Sequence, residues 1–276
     1  MNIEKESLLK VGIQFGNLTQ RWNPKMEPYI ARKSGKLHLL DEQKIIESFS
    51  YVKSQLEKMI EEDNITVLFV GTAPDLAEIT KQAAISCQSP YLVHRWPGGF
   101  LTNFHTIQRS IGHLKSLLAF RQSESFATLS KREQSELERK INKLKKVYEG
   151  VLDLPKNGWF DYFQGEKRIN VLLFIVWLKK EKTALREAKS LGVPVMAICN
   201  TSDDPTLIDY IIPGNIAVAK NKEESKKAER AQYLINAVAE VIQESKIRKD
   251  AKLSSEESET IEKTEKLISP KETNRV

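Results

Sequence analysis

Three short stretches of this chain are almost wholly apolar: Thr66–Val70 (TVLFV), Val171–Val176 (VLLFIV) and Val193–Cys199 (VPVMAIC). A strand with one wet face alternates apolar and polar residues. A strand with no polar position is covered on both faces, as in a parallel sheet between two layers of helix. The intervening sequence supplies those helices. Pro74 opens one at its first turn, with Leu76, Ile79, Ala83 and Ala84 inward, running to about Cys87 before a strand at Tyr91-Leu92-Val93. Ala184–Leu191 reads as another, ended by Gly192. Asn200–Pro205 is then a turn, and Ile208–Ile212 a last short strand closed by Pro213-Gly214-Asn215. The pattern predicts an α/β protein with a parallel sheet.

The flanks extend this unit. Glu6–Gly16 has a short helical start and then a glycine-bounded stretch, and Lys36–Leu40 reads as a strand. Asp41 is placed to cap an amphipathic helix through Ile45, Ile46, Phe49, Val52, Leu56 and Ile60. From about Glu223 to Ile242, Ala228, Ala231, Leu234, Ile235, Val238 and Ile242 line one helix face. With 276 residues, 40% of them hydrophobic, the chain can bury a sizeable core. The expected organisation is a sheet domain of residues 1–102 and 151–244, an insertion at 103–150, and a tail at 245–276.

The insertion has its own rhythm. Phe104, Ile107, Ile111, Leu114 and Leu118 alternate gaps of three and four, the spacing of a coiled-coil seam. After a polar loop from Arg121 to Leu129, Ser130 and Glu133 form a capping box. Leu137, Ile141, Leu144 and Tyr148 then continue the same spacing, which predicts an antiparallel helical hairpin. Its outer faces carry Lys131, Arg132, Arg139, Lys140, Lys143, Lys145 and Lys146. Gly150–Gly165, with Trp159, Phe160, Tyr162 and Phe163, reads as an irregular re-entry packed on the core. From Ser245 on, Ser, Glu and Lys dominate, and a disordered tail is expected.

Charge points to the partner. The formal net charge is +6 and the pI about 9.1. Residues 1–36 hold seven Lys and Arg against three Glu. From Ile79 to Ser123 there is no acidic residue, while Lys81, Arg95, Arg109, Lys115 and Arg121 all occur. Within this stretch His94-Arg95-Trp96 runs into Pro97-Gly98-Gly99, a sharp turn, and Asn103 is a plausible cap for the Phe104 helix. A surface facing phosphates and a packed turn with solvated bases both fit that pattern. The same pair of readings applies to Thr19–Met26, where Arg21 and Lys25 surround Trp22 ahead of Tyr29. Cys87 and Cys199 are too far apart and too few for a metal or disulfide framework. No apolar run is long enough to cross a membrane, and MNIEKESLLK has no signal-peptide character, so a cytoplasmic protein is expected.

Catalytic patterns are missing from the sequence. It contains no G-x-G-x-x-G, no G-x-x-x-x-G-K-[ST] and no G-x-S-x-G. His94, His105 and His113 lack nearby carboxylates, and Ser202-Asp203-Asp204-Pro205 reads as a capped turn rather than an ion site.

Five motifs in order, GIQFGNLTQRWNPKM, VLFVGT, HRWPGGFLTN, LGVPVMAICNTSDDP and YIIPGN, closely resemble the bacterial-type small-subunit ribosomal protein S-two family, over roughly residues 8 to 245. The resemblance implies a flavodoxin-like (Rossmann-like) parallel sheet with an inserted antiparallel coiled-coil hairpin. It implies a structural, non-catalytic role in translation, without cofactor, at the head–body junction of the small ribosomal subunit. The implied partners are small-subunit rRNA, neighbouring ribosomal proteins and, where it exists, the mRNA-binding ribosomal protein S-one. The family's RNA-facing positions carry over onto Arg21, Asn23, Lys25, Arg95, Thr102, Asn103 and Arg109, to which charge adds Arg32, Lys33 and Lys36. Trp22, Trp96 and Phe104 would stack or fix the loops. The sequence departs from the family pattern at Asn17, where His is usual, at Ala73-Pro74, where a base is usual, and in the Leu178–Lys182 loop, which lacks the usual acidic and His residues. The change at Asn17 speaks against a metal there. The competing expectation is a flavodoxin-like enzyme or binding protein that takes a small phosphorylated ligand at Gly71-Thr72 and Thr201-Ser202.

Overall fold

A computed structural model describes residues 3–154, 160–163, 166–216 and 224–268. The chain starts with helix α1 (Lys5–Val11), which ends where Gly12 turns to φ +80°. Strands β1 (Phe15–Leu18), β2 (Ile30–Ser34) and β3 (Leu37–Leu40) follow and form a small antiparallel sheet in the order β1-β3-β2. Only the third of these strands is predicted from sequence. Asp41 then caps α2 (Glu42–Glu61) as expected, accepting from the Gln43 and Lys44 amides, and Ile45, Phe49, Val52, Leu56 and Ile60 are buried along one face.

The central sheet is built from β4 (Thr66–Val70) and β5 (Tyr91–Leu92), joined by α3 (Pro74–Ser86), and from three later strands. Between the two groups come α4 (Phe104–Arg121), α5 (Glu124–Ala127) and α6 (Lys131–Tyr148), then the short strands β6 (Phe160–Phe163) and β7 (Glu166–Ile169). β8 (Val171–Ile175), α7 (Lys182–Leu191), β9 (Val195–Cys199), β10 (Tyr210–Pro213) and α8 (Glu224–Ile268) complete the chain. The sheet runs β10-β9-β8-β4-β5, every pair parallel. Counted in chain order that is 2-1-3-4-5, the flavodoxin-like order, with its switch point between β4 and β8.

The apolar strands sit where their composition demands. β4 and β8 pair in full register from Thr66–Val171 to Val70–Ile175, and Phe69 meets Phe174 edge-on at 5.2 Å. Each large side chain fully removed from water here is worth roughly 1.5–3 kcal/mol. On one side of the sheet α8 packs against both α2 and α3.

The insertion folds as two packed antiparallel helices. Arg121 at the end of α4 pairs with Glu138 at 3.1 Å, and Lys115, a turn and a half earlier, reaches Asp153 beyond the end of α6 at 3.9 Å. Ile107, Ile111, Leu114 and Ile141 are buried. The Ser130–Glu133 capping box forms. Asn103 occupies the cap position of α4 without capping it: its side-chain oxygen accepts from the Thr106 hydroxyl at 3.0 Å. Gly150 re-enters so close to Tyr91 that an added Cβ would collide with its ring and carbonyl. Within the stretch expected to be irregular, Phe160–Phe163 form β6, which pairs antiparallel with β7 just beyond it, Phe160 opposite Ile169. Trp159 and residues 269–276 lie outside the described residues.

The segment expected to be disordered from Ser245 is, in its described part, helical. α8 continues without a break through Ile268. Ser245 is buried and bonds back to the Val241 carbonyl at 2.7 Å. Several of the charged residues just after it have tertiary partners. Lys246 donates to the Cys87 and Gln88 carbonyls, both at 2.9 Å, and so closes the end of α3. Arg248 pairs with Glu57 at 2.7 Å and with Glu61 at 3.3 Å, and Lys252 with Glu61 at 2.6 Å. Together they hold the Glu61 carboxyl below its ordinary range. A composition that reads as disordered is, up to Lys252, the zipper of a helix against α2.

Candidate nucleic-acid interface

Two loops carry most of the predicted RNA-facing residues, and each is stiffened by a tryptophan and a carboxylate. The first is the turn after β5. Its backbone reverses at Gly99, φ +79°, in the left-handed region that glycine adopts most readily. Glu187 on α7 collects it: one carboxylate oxygen accepts from the Trp96 indole at 3.0 Å and the Gly99 amide at 2.8 Å, the other from the Leu101 amide at 3.0 Å. The Thr102 amide and hydroxyl complete the fan at 3.5 Å. Trp96, Phe100 and Phe104 form an edge-to-face chain below it, with Phe100 fully buried. Arg95, Thr102, Asn103 and Arg109 are exposed around this rigid turn. Arg95 and Arg109 have no ion pair among the described residues, so their charges face solvent uncompensated.

The second loop lies between β1 and β2 and packs beside the turn after β9. The Asn23 amide donates to the Thr201 carbonyl at 2.8 Å, while the Asn23 side chain accepts from the Lys25 amide at 3.1 Å and caps the 3₁₀ turn Pro24–Tyr29. The Lys25 ammonium pairs with Asp204 at 2.9 Å and with the Thr206 hydroxyl at 3.2 Å. Asn23 and Lys25 thus hold the loop together, and Arg21 is the cation it presents to solvent. Thr206 and then Lys25 lower the Asp204 carboxyl to about 2. Trp22 stacks on His38 of β3, ring centroids 5.0 Å apart. His38 is 2% exposed and neither ring nitrogen has a partner among the described residues. Burial, with Lys33 adding to it, pushes its pKa down and keeps the imidazole neutral. Arg32, Lys33 and Lys36 sit exposed on the β2–β3 hairpin, apart from the Lys25–Asp204 tie.

The residues placed for a phosphorylated ligand are already occupied. The Thr72 amide and hydroxyl both donate to the buried Glu181 carboxylate, at 2.8 and 2.5 Å. A carboxylate stands where the ligand's phosphate would have to go. Burial pushes Glu181 up despite those two bonds. At the other end of the proposed site the Thr201 hydroxyl accepts from the Asn17 amide at 2.8 Å. Nor do these residues suit a metal: the Asn17 side chain donates its NH₂ to Ser202 at 2.6 Å, and Asp203 accepts from the Asn200 amide at 2.8 Å. His94, His105 and His113 point outward.

Glu187 is the residue that sequence reasoning missed. It sits on the polar side of an amphipathic helix, where Glu ordinarily means a solvated face, and its partners lie 85 to 91 residues earlier.

A flavodoxin-like α/β sheet carrying an inserted helical pair and rigid basic loops is the class that fold and site define. The ribosomal protein S2 family model matches residues 8–244. The small ribosomal subunit protein uS2 of Coprothermobacter proteolyticus is 36% identical over 275 residues, 95% of this chain and 94% of its own length. Those of Cytophaga hutchinsonii, 38% identical over 77% of this chain and 79% of theirs, and Idiomarina loihiensis, 34% over 89% and 92%, are similar too. The chain belongs to the ribosomal protein S2 family. It is a ribosomal protein of the cytoplasm, structural rather than enzymatic.

Proposed function

We propose that this chain is built into the small ribosomal subunit at the head–body junction, where it binds small-subunit rRNA and neighbouring ribosomal proteins, including ribosomal protein S-one where that protein exists. The carrying observation is the uncompensated charge of Arg21 and Arg95, on loops whose backbones are fixed by Glu187, Trp22 and Trp96, and of Arg109 on the second turn of the helix that follows the Glu187-held turn. Cations on stiff supports neutralise phosphates with little loss of conformational freedom. They recognise the shape of the RNA rather than its sequence. Thr102 and Asn103 flank Arg95 with polar groups suited to sugar and phosphate. Arg32, Lys33 and Lys36 extend the basic surface, while Asn23 and Lys25 support it.

Sucrose-gradient fractionation of native lysate at low and high salt tests this reading. The protein should sediment with the small subunit and leave it only at high salt, as phosphate contacts require. Sedimentation as a free monomer at every salt overturns it. Arg95→Ala combined with Arg109→Ala should reduce retention on purified small subunits about tenfold at moderate salt, by removing two phosphate contacts. The circular dichroism spectrum should stay unchanged. Wild-type retention would remove those two residues from the interface.

A further inference from the structure

A notch of about 430 Å³ opens where the turn after β5 faces the later half of α6. His94 and Arg95 form one wall; Arg139, Asn142, Lys143 and Lys146 form the other, and Val147, 8% exposed, lines its base. Arg139, Lys143 and Lys146 are spaced i, i+4, i+7, so one face of the helix turns all three toward the opening. No acidic side chain lines the notch. The neighbouring acids on this stretch are committed elsewhere: Glu138 to Arg121 at 3.1 Å, Glu149 to Lys81 at 3.3 Å and Lys145 at 3.6 Å. The four cations of the notch have no ion pair among the described residues. Converging like charges repel one another, and an arrangement that keeps them together around a concavity is relieved by a polyanion.

We propose that this notch seats one unpaired nucleotide of the RNA, with the flanking phosphates held by Arg95, Arg139, Lys143 and Lys146. The inference rests on the ribosomal reading above and adds a binding position to it. An RNA duplex is too wide to enter so small a concavity, whereas an unstacked nucleotide in a loop or bulge fits it. The chemistry of the lining favours RNA over an acidic protein segment. Carboxylates would need only the cations. The Asn142 amide and the His94 imidazole add groups that pair with a 2′-hydroxyl or a base edge, and Val147 gives an apolar base for a ring.

Photocrosslinking in assembled subunits tests the occupant. Cys87 and Cys199 are buried, so Asn142→Cys provides an accessible thiol for a photoactivatable maleimide. Illumination of purified small subunits should join residue 142 to one unpaired rRNA nucleotide. A crosslink to protein, a scatter over duplex positions, or none overturns the proposal. Binding of the purified full chain to transcribed small-subunit rRNA supplies the second readout. Arg139→Ala with Lys143→Ala should weaken it about tenfold and reduce the slope of log affinity against log salt by roughly 1.4 to 1.8, the value for two lost phosphate contacts. The pair Lys131→Ala and Lys140→Ala, equal in charge but outside the notch, should leave both nearly unchanged. Equal losses from the two pairs, or none from the first, overturn the notch alone. A wild-type chain that binds neither the rRNA nor the subunit overturns the ribosomal reading instead.

Discussion

The two basic loops solve the same mechanical problem in opposite ways. In the Thr19–Met26 loop a cation is consumed: Lys25 pairs with Asp204, and Arg21 remains as the outward charge. In the turn after β5 an anion does the holding, since Glu187 gathers backbone N–H groups and the Trp96 indole, and leaves Arg95 untouched. The tryptophans differ as well. Trp22 covers a buried neutral histidine, while Trp96 is anchored through its own N–H. The count of bases in a loop is therefore a poor guide to the charge the loop offers a partner.

Breaking the Glu187 fan gives the largest effect. Glu187→Ala strands several partly buried donors at once and should cost about 3 kcal/mol in denaturant unfolding. Retention on the small subunit should fall as well, although no surface cation has been removed. Trp22→Ala is next, at about 2 kcal/mol, from lost burial and ring stacking. It also sharpens the comparison through pH. The His38 pKa lies below its ordinary 6.5 in the folded protein, so the stability from its neutral form is full above 6.5 and is lost as pH falls below it. Opening that site to water should flatten the wild-type decline in stability between about pH 7 and 5. Asp204→Asn is the smallest, below about 1 kcal/mol, because the Lys25–Asp204 pair is half exposed. With the carboxyl lowered from 3.8 to about 2, its contribution is present above pH 3.8 and is lost as pH falls toward 2. The variant should lack that part of the acid transition in a circular-dichroism titration.

What the sequence reveals depends on where the partners are. β4, β8 and β9 are legible because burial on both faces leaves, beyond Thr66 at the start of β4, no polar position to confuse the reading. β1 and β2 are not: Phe15–Leu18 is too short to show alternation, and Ile30–Ser34 exposes four of its five residues. The capping residues Asp41 and Ser130 are legible because a cap acts within three residues. Glu187, Lys246 and Arg248 are not, because a charged side chain on a helix looks the same in sequence whether its partner is water or a distant amide, carbonyl or carboxylate. For the interface, Arg21, Arg95 and Arg109 could be proposed from charge and motif. That Lys25 is spent on Asp204 and the Asn23 amide on Thr201 follows only from the 201–206 turn lying beside them.

The seam between the two ends of the chain has a consequence for how the protein is made. Asn215 donates to the Phe15 carbonyl and accepts from Asn200 at 2.6 Å, its amide reaches the Ile13 carbonyl at 3.2 Å, and Asn17 and Asn23 both bond to Thr201. During synthesis the first forty residues emerge long before these partners exist. Contacts this far apart in sequence close late. The ties from Asn23 to Thr201 and from Lys25 to Asp204 form only once translation has passed residue 204, so until then the Trp22 loop has its local contacts alone. Fragments cut short before that point carry Arg21 on a loop without those distant ties, and should compete less well than the full chain in retention on purified small subunits.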